Sequence, residues 1–162
     1  MSTFHHMGVT VSDIRASYRF YSEVVGMREW DQSKELDVDM GNEPDPVDRQ
    51  FIGVRSEAFN LLTNNEGAEI KYAHLQSIDG NLVLQLVEYI KGGGAALELD
   101  HHRIGSPHFS FFVDDVDTKW QEIQGRPDVK VTSEIIQIGP EMRSFYVTDP
   151  DGVPVEFLQV MR

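Results

Sequence analysis

Apolar and polar positions along this chain change period twice, and both times in the same way. Residues 6–11, HMGVTV, read as a short strand, and from Ile14 the apolar side chains fall at i, i+4 and i+7 (Ile14, Tyr18, Tyr21), the mark of an amphipathic helix. Residues 108–113, HFSFFV, repeat the strand, and Val116, Trp120 and Ile123 repeat the helix. His108 stands 102 positions after His6, and at that offset Val11 meets Val113, Asp13 meets Asp115 and Ile14 meets Val116. Ser12 or Asp114 is expected to cap the N-terminus of each helix. Gly26 and Gly125 are expected to close the helices in the left-handed conformation.

The ends of the copies match as well. AEIKYAHLQ (68–76) and LVLQLVEY (82–89) flank the turn Asp79-Gly80-Asn81, and RSFYVT (143–148) and VPVEFLQV (153–160) flank Asp151-Gly152. Each copy therefore predicts β-α-β-β-β closed by a hairpin. The expected fold class is α+β, with two βαβββ modules. The expected organisation is a first module over 1–90, a linker over 91–105 and a second module over 106–162, together making one domain. From His6 to Gln85 is 79 positions, whereas from His108 to Glu156 is 48, so the first copy carries an insertion. It is placed at about 31–67. Its acidic first part, with Pro44 and Pro46, reads as loop. Its second part, VDRQFIGVRSEAFNLL, reads as a helix broken near Gly53 or as two short turns. An insertion of this length reads as a lid, a binding loop or a disordered segment.

Composition narrows the possible partners. The 162 residues hold 14 Lys and Arg against 27 Asp and Glu, for a net charge of −13, which opposes binding to phosphate backbones or anionic lipid. Neither nucleic acid nor membrane is an expected partner; a small-molecule substrate is. The start of the chain lacks a basic segment followed by an apolar stretch, so no secretory signal is expected and a cytoplasmic location is. With no cysteine, disulfides and thiolate metal sites are excluded.

Chemistry enters through the repeat. Alternate residues of a strand share a face, so His6 groups with Gly8 and Thr10, His108 with Ser110 and Phe112, Gln85 with Val83 and Val87, and Glu156 with Pro154 and Leu158. If the copies pack with pseudo-twofold symmetry, His6, Gln85, His108 and Glu156 converge. Two imidazoles, an amide oxygen and a carboxylate suit one divalent ion such as Zn, Ni, Co, Mn or Fe. A lone strand histidine is more often hydrogen-bonded or on the surface. Matching ligand types at matching positions in both copies favour ligation instead. His5, His101 and His102 fall outside the repeat register and are expected to be surface residues.

The segments HHMGVTVSDIRASYRFYSEVVGM, SPHFSFFVDDVD and FYVTDPDGVPVEF resemble the vicinal oxygen chelate superfamily, which includes glyoxalase I, methylmalonyl-CoA epimerase, fosfomycin-resistance enzymes, bleomycin-binding proteins and extradiol dioxygenases. The resemblance implies a glyoxalase-like fold, in which the two βαβββ modules form a cupped mixed sheet and the metal ligands fall on His6, Gln85, His108 and Glu156, and it implies a homodimer. Within that fold the insertion at 31–67 is expected to cover the mouth of the cup or to form a dimer contact. Gln in place of the more frequent Glu at position 85 is similar to methylmalonyl-CoA epimerase.

The resemblance also orders the possible reactions. A glyoxalase-like or epimerase-like lyase or isomerase, stabilising an enolate of a small bidentate carbonyl substrate, needs a proton-transfer base; Glu69 and His74 are the candidates. An extradiol dioxygenase would use His6, His108 and Glu156 as a 2-His-1-carboxylate triad with Tyr146 beside it. Such enzymes carry a further histidine between the second ligand and the tyrosine, and this chain has none after His108. Arg143, next to the strand of Tyr146, is a candidate for binding a substrate carboxylate or phosphate, although Arg49, Arg55, Lys71, Arg126 and Arg143 form no cluster in sequence. A non-catalytic, ligand-sequestering resistance protein is the alternative to an enzyme.

Overall fold

The computed structural model describes residues 1–30, 52–54 and 57–161. Backbone contacts divide the chain into two units, Met1–Ala95 and Ala96–Arg162. The first unit runs β1 (Met7–Thr10), α1 (Ile14–Arg19), β2 (Arg28–Glu29), β3 (Ile52–Val54), α2 (Glu57–Thr63), β4 (Glu69–Gln76) and β5 (Val83–Lys91). The second runs β6 (Phe109–Phe112), α3 (Val116–Ile123), β7 (Lys130–Val131), β8 (Ile136–Ile138), β9 (Met142–Thr148) and β10 (Pro154–Val160).

Each unit builds its own five-stranded mixed sheet, so the α+β class and the doubled architecture are as the repeat predicts. The first is ordered β1-β5-β4-β2 with β3 also on β4; the second is ordered β6-β10-β9-β7 with β8 also on β9. β1 lies parallel to β5 and β6 parallel to β10, while the last two strands of each unit form the antiparallel hairpin expected at Gly80 and Gly152. Both glycines are left-handed, with φ of 76° and 91°, which an L side chain tolerates poorly.

Several details depart from the sequence expectation. Among the described residues both units contain one more strand than β-α-β-β-β. β3 replaces part of the helix expected around Gly53, and α2 supplies the remainder. In each sheet two short strands share the outer edge of the hairpin's first strand. The helix caps are one residue later than expected: Asp13 accepts from Arg15 and Ala16 N–H, and Asp115 from Asp117 and Thr118 N–H. A carboxylate reaches the first-turn amides and adds the favourable charge at the helix N-terminus. α1 continues as a π-helical turn over Phe20–Val25 before Gly26 closes it at φ 89°, as expected. Gly125 is not left-handed; α3 ends on Gln124 in the right-handed region, so no glycine is required there. Residues 31–51, the first part of the insertion, lie outside the described residues.

One face of each sheet is sealed by its helix. In the second unit, Val155, Phe157, Phe145 and Val147 are buried beneath α3, with Trp120 edge-on to Phe145 at 5.1 Å. In the first, Leu84, Leu86, Ala73 and Leu75 are buried on the α1 side. Alternation then assigns the intervening residues of each strand to the opposite face. These include Gln85, His74, Glu156 and Tyr146. No helix among the described residues is long and apolar enough to cross a membrane.

Candidate metal centre

In both units the candidate ligands occupy the same place in the sheet. Gly8 pairs with Gln85 across β1 and β5, and Ser110 pairs with Glu156 across β6 and β10. His6 and His108 each precede that paired residue by two positions, and both are exposed. The neighbouring hairpin strand completes the parallel, because His74 is the register partner of Gln85 and Tyr146 that of Glu156. Neither unit by itself gathers three His, Cys, Asp or Glu side chains in metal-binding geometry among the described residues.

The first unit's group is a chain of rings and amides. Gln85 Nε2 donates to His74 Nε2 at 3.0 Å. Gln85 Oε1 turns towards β1, 3.7 Å from where a β-carbon on Gly8 would stand. A methyl group at position 8 would meet that oxygen at ordinary van der Waals distance, so the oxygen faces open space beside β1. The His6 ring lies 6.2 Å from that of His74, and His6 Nδ1 is 2.7 Å from His5 Nδ1. Trp30 lies 5.0 Å from His74, and Tyr72 lies 5.6 Å from it. Burial, followed by the positive charges His6 and His5 carry when protonated, lowers His74 from 6.5 to about 4. His74 is therefore a neutral imidazole at physiological pH, able to accept the Gln85 N–H.

This shift has a pH signature. Because the folded-state value is depressed, neutral His74 contributes stability above pH 6.5, and the contribution is lost as pH falls towards 4. Solvent screening of this partly exposed ring keeps the loss to about 1–2 kcal/mol. In metal-free protein the unfolding midpoint should fall more steeply between these pH values than in His74→Gln. Parallel pH profiles for the two proteins would contradict the assignment.

In the second unit Glu156 is buried, at 9% exposure, and its contacts are hydroxyls. Ser110 Oγ donates to Glu156 Oε2 at 2.7 Å, and the Tyr146 hydroxyl is a second partner. Burial first, then the Glu156 charge and that hydrogen bond, push the Tyr146 phenol up from its ordinary value, so it remains a donor. No cationic side chain among the described residues pairs with Glu156. A buried carboxylate served by neutral donors alone retains a desolvation cost that a cation would offset, and the residues present fit a divalent ion in this respect.

Two further candidates, Arg143 and Glu69, lie away from Glu156 and Gln85 within their own sheets. Arg143 alternates with Met142 and Ser144 and turns to the helix side, where it makes a bidentate pair with Asp117 at 2.6 and 2.9 Å. It does not share the face of Glu156, because a one-residue step along a strand reverses the side-chain direction. Glu69 is opposite Lys91, at the far end of β4 from Gln85, and lines a separate groove with Asn60, Asn64 and Glu66. Five residues of strand span about 17 Å, so Glu69 and His74 do not serve one point. His101 is exposed as expected, but it is not isolated: its ring is edge-on to Tyr146 at 4.6 Å and lies 6.3 Å from His108. His5 likewise contacts His6 and Trp30. Neither contact follows a repeat or a strand period, so only the fold reveals it.

The chain belongs to the Glyoxalase/Bleomycin resistance protein/Dioxygenase superfamily, whose family model matches residues 3–157. No curated protein matches the sequence. Among solved structures it is similar to a glyoxalase family protein from Bacillus cereus, with a TM-score of 0.79, 14% identity, and coverage of 100% of this chain and 96% of that one. It is also similar to a glyoxylase/bleomycin resistance protein/dioxygenase domain from Frankia sp., with a TM-score of 0.59, 20% identity, and coverage of 99% and 98%. A third similar structure is the fosfomycin resistance protein FosX from Listeria monocytogenes, solved with Mn(II) and dihydroxypropylphosphonic acid (TM-score 0.59, 16% identity, coverage 99% and 94%). At these identities the likeness establishes the fold. The family contains metal-dependent members and proteins that bind small molecules.

Proposed function

We propose that this chain is a divalent-metal-dependent enzyme of the glyoxalase-like or epimerase-like branch, a lyase or isomerase acting on a small substrate with two neighbouring oxygens. His6 and Gln85 from the first unit and His108 and Glu156 from the second hold the ion. The observation that carries this reading is the doubled register: each unit sets an imidazole two residues before a small residue, and that small residue lies opposite an oxygen ligand. Buried Glu156, without a cationic partner among the described residues, points the same way. We further propose that the protein works as a cytoplasmic homodimer.

A bound ion would polarise the two substrate oxygens and stabilise negative charge as it develops on them. The chain's own residues do the rest. His74 holds the Gln85 amide by its nitrogen and so leaves Oε1 free for an ion. Ser110 and Tyr146 fix the Glu156 carboxylate. Proton transfer falls to His74, the one base candidate on the Gln85 face, once a substrate displaces the amide contact. Metal analysis of untagged protein should give about one divalent ion per chain, removable by chelator with loss of turnover. A metal-free protein that still turns over substrate would refute this reading.

One observation favours extradiol ring cleavage as the second reading. His101 supplies beside Tyr146 and His108 the extra imidazole that no residue after His108 provides. Assays of the reconstituted protein with catechols under O₂, hemithioacetals and 2-methyl-branched acyl thioesters separate the two readings by product.

A further inference from the structure

The sheet face that carries Glu156 continues as an apolar strip. Alternation places Leu158 and Val160 on the Glu156 side of β10. Cross-strand register adds Met142 opposite Val160, Ile138 opposite Met142, Ile136 opposite Ser144, and Phe112 opposite Leu158. Phe112, Ile136, Ile138, Met142 and Val160 are 79, 54, 41, 37 and 41% exposed. The residues between them turn the other way. Gln159 Oε1 accepts from Val116 N–H at 3.3 Å, and Arg143 pairs with Asp117, both at the start of α3. The helix thus covers the opposite face and leaves the strip open. Four residues of strand separate Glu156 from Val160, a run of about 13 Å. Among the described residues no cationic side chain shares the face along that run.

A contiguous exposed apolar surface that starts one strand repeat from a buried, hydroxyl-bonded carboxylate is the form expected of a binding wall beside a polar head site. We propose that the substrate carries a neutral alkyl or aryl chain about 10 Å long next to its metal-chelating oxygens, and that this chain lies along the strip from Leu158 to Ile138. The proposal rests on the metal-centre reading for the head group. Among the described residues the strip offers apolar side chains and no cation, which favours a neutral chain over one ending in a phosphate or phosphonate.

Alkyl hydroxamic acids test it, since they offer two oxygens on a chain of adjustable length. Calorimetry with the metal-reconstituted protein should show affinity rising about two- to fourfold per methylene from acetohydroxamic to octanohydroxamic acid. Ile138→Asp, at an exposed position, should abolish that gain and leave acetohydroxamic acid binding unchanged. If acetohydroxamic acid binds but longer chains bind no tighter, or if Ile138→Asp retains the gain, the proposal is overturned. If the gain is absent and Ile138→Asp instead reduces the sedimenting mass, the strip is a contact between copies and the proposal is overturned as well. If binding does not need the ion, the metal reading fails separately. Persistence of the Ile138-dependent gain would then still support the strip.

Discussion

Alanine at His108 is expected to abolish the proposed metal binding and reduce turnover to background, whereas alanine at His102, exposed and 3.9 Å from Asp100, leaves both intact. The contrast follows from position. His108 stands immediately before β6 and two residues before Ser110, whose hydroxyl holds Glu156, so its imidazole sits at the entry to the strand that fixes the proposed carboxylate ligand. Altering a residue that merely orients a metal ligand commonly costs 10–100-fold in affinity, so removing a ligand should cost more than about 100-fold. Metal content by elemental analysis, read beside turnover, checks the effect. His108→Ala protein that retains one ion per chain would remove His108 from the ligand set.

Phe145→Ala is expected to produce the largest loss of stability, about 3–5 kcal/mol. Phe145 is fully buried, edge-on to Trp120 at 5.1 Å and tilted against Phe157 at 5.3 Å. Truncating it leaves a cavity at the centre of the second unit, between the helix and the hairpin. Because Tyr146 is the next residue and Phe157 the neighbour of Glu156, a relaxed β9–β10 pairing should also loosen the carboxylate. Thermal unfolding should fall by about 10 °C. A loss below about 1 kcal/mol would show that the aromatic cluster is not what holds the helix to the sheet.

Much of this molecule was legible in the order of its residues, because the repeat supplied a second reading of every element. The strand-helix opening of each unit, both hairpins and their glycine turns follow from period and turn chemistry, and these are local properties. The helix caps shifted by one position because Ser12 and Asp13, or Asp114 and Asp115, both suit a cap, and only backbone geometry selects between them. β3 and β8 are three residues each, too short for an alternating pattern to register. They exist because the outer edges of β4 and β9 have backbone groups to pair.

The sequence by itself determined the family, the doubled βα plan and the four residues worth testing as ligands, since spacing and alternation survive without coordinates. The tertiary structure decided which faces those residues share. It turned Arg143 to the helix side, set Glu69 apart from His74, brought His101 to Tyr146 and aligned six apolar side chains beside Glu156. The physical reason is that direction along a strand is a local property, whereas partnership across strands depends on register, and register is settled only when the buried face of each sheet meets its helix.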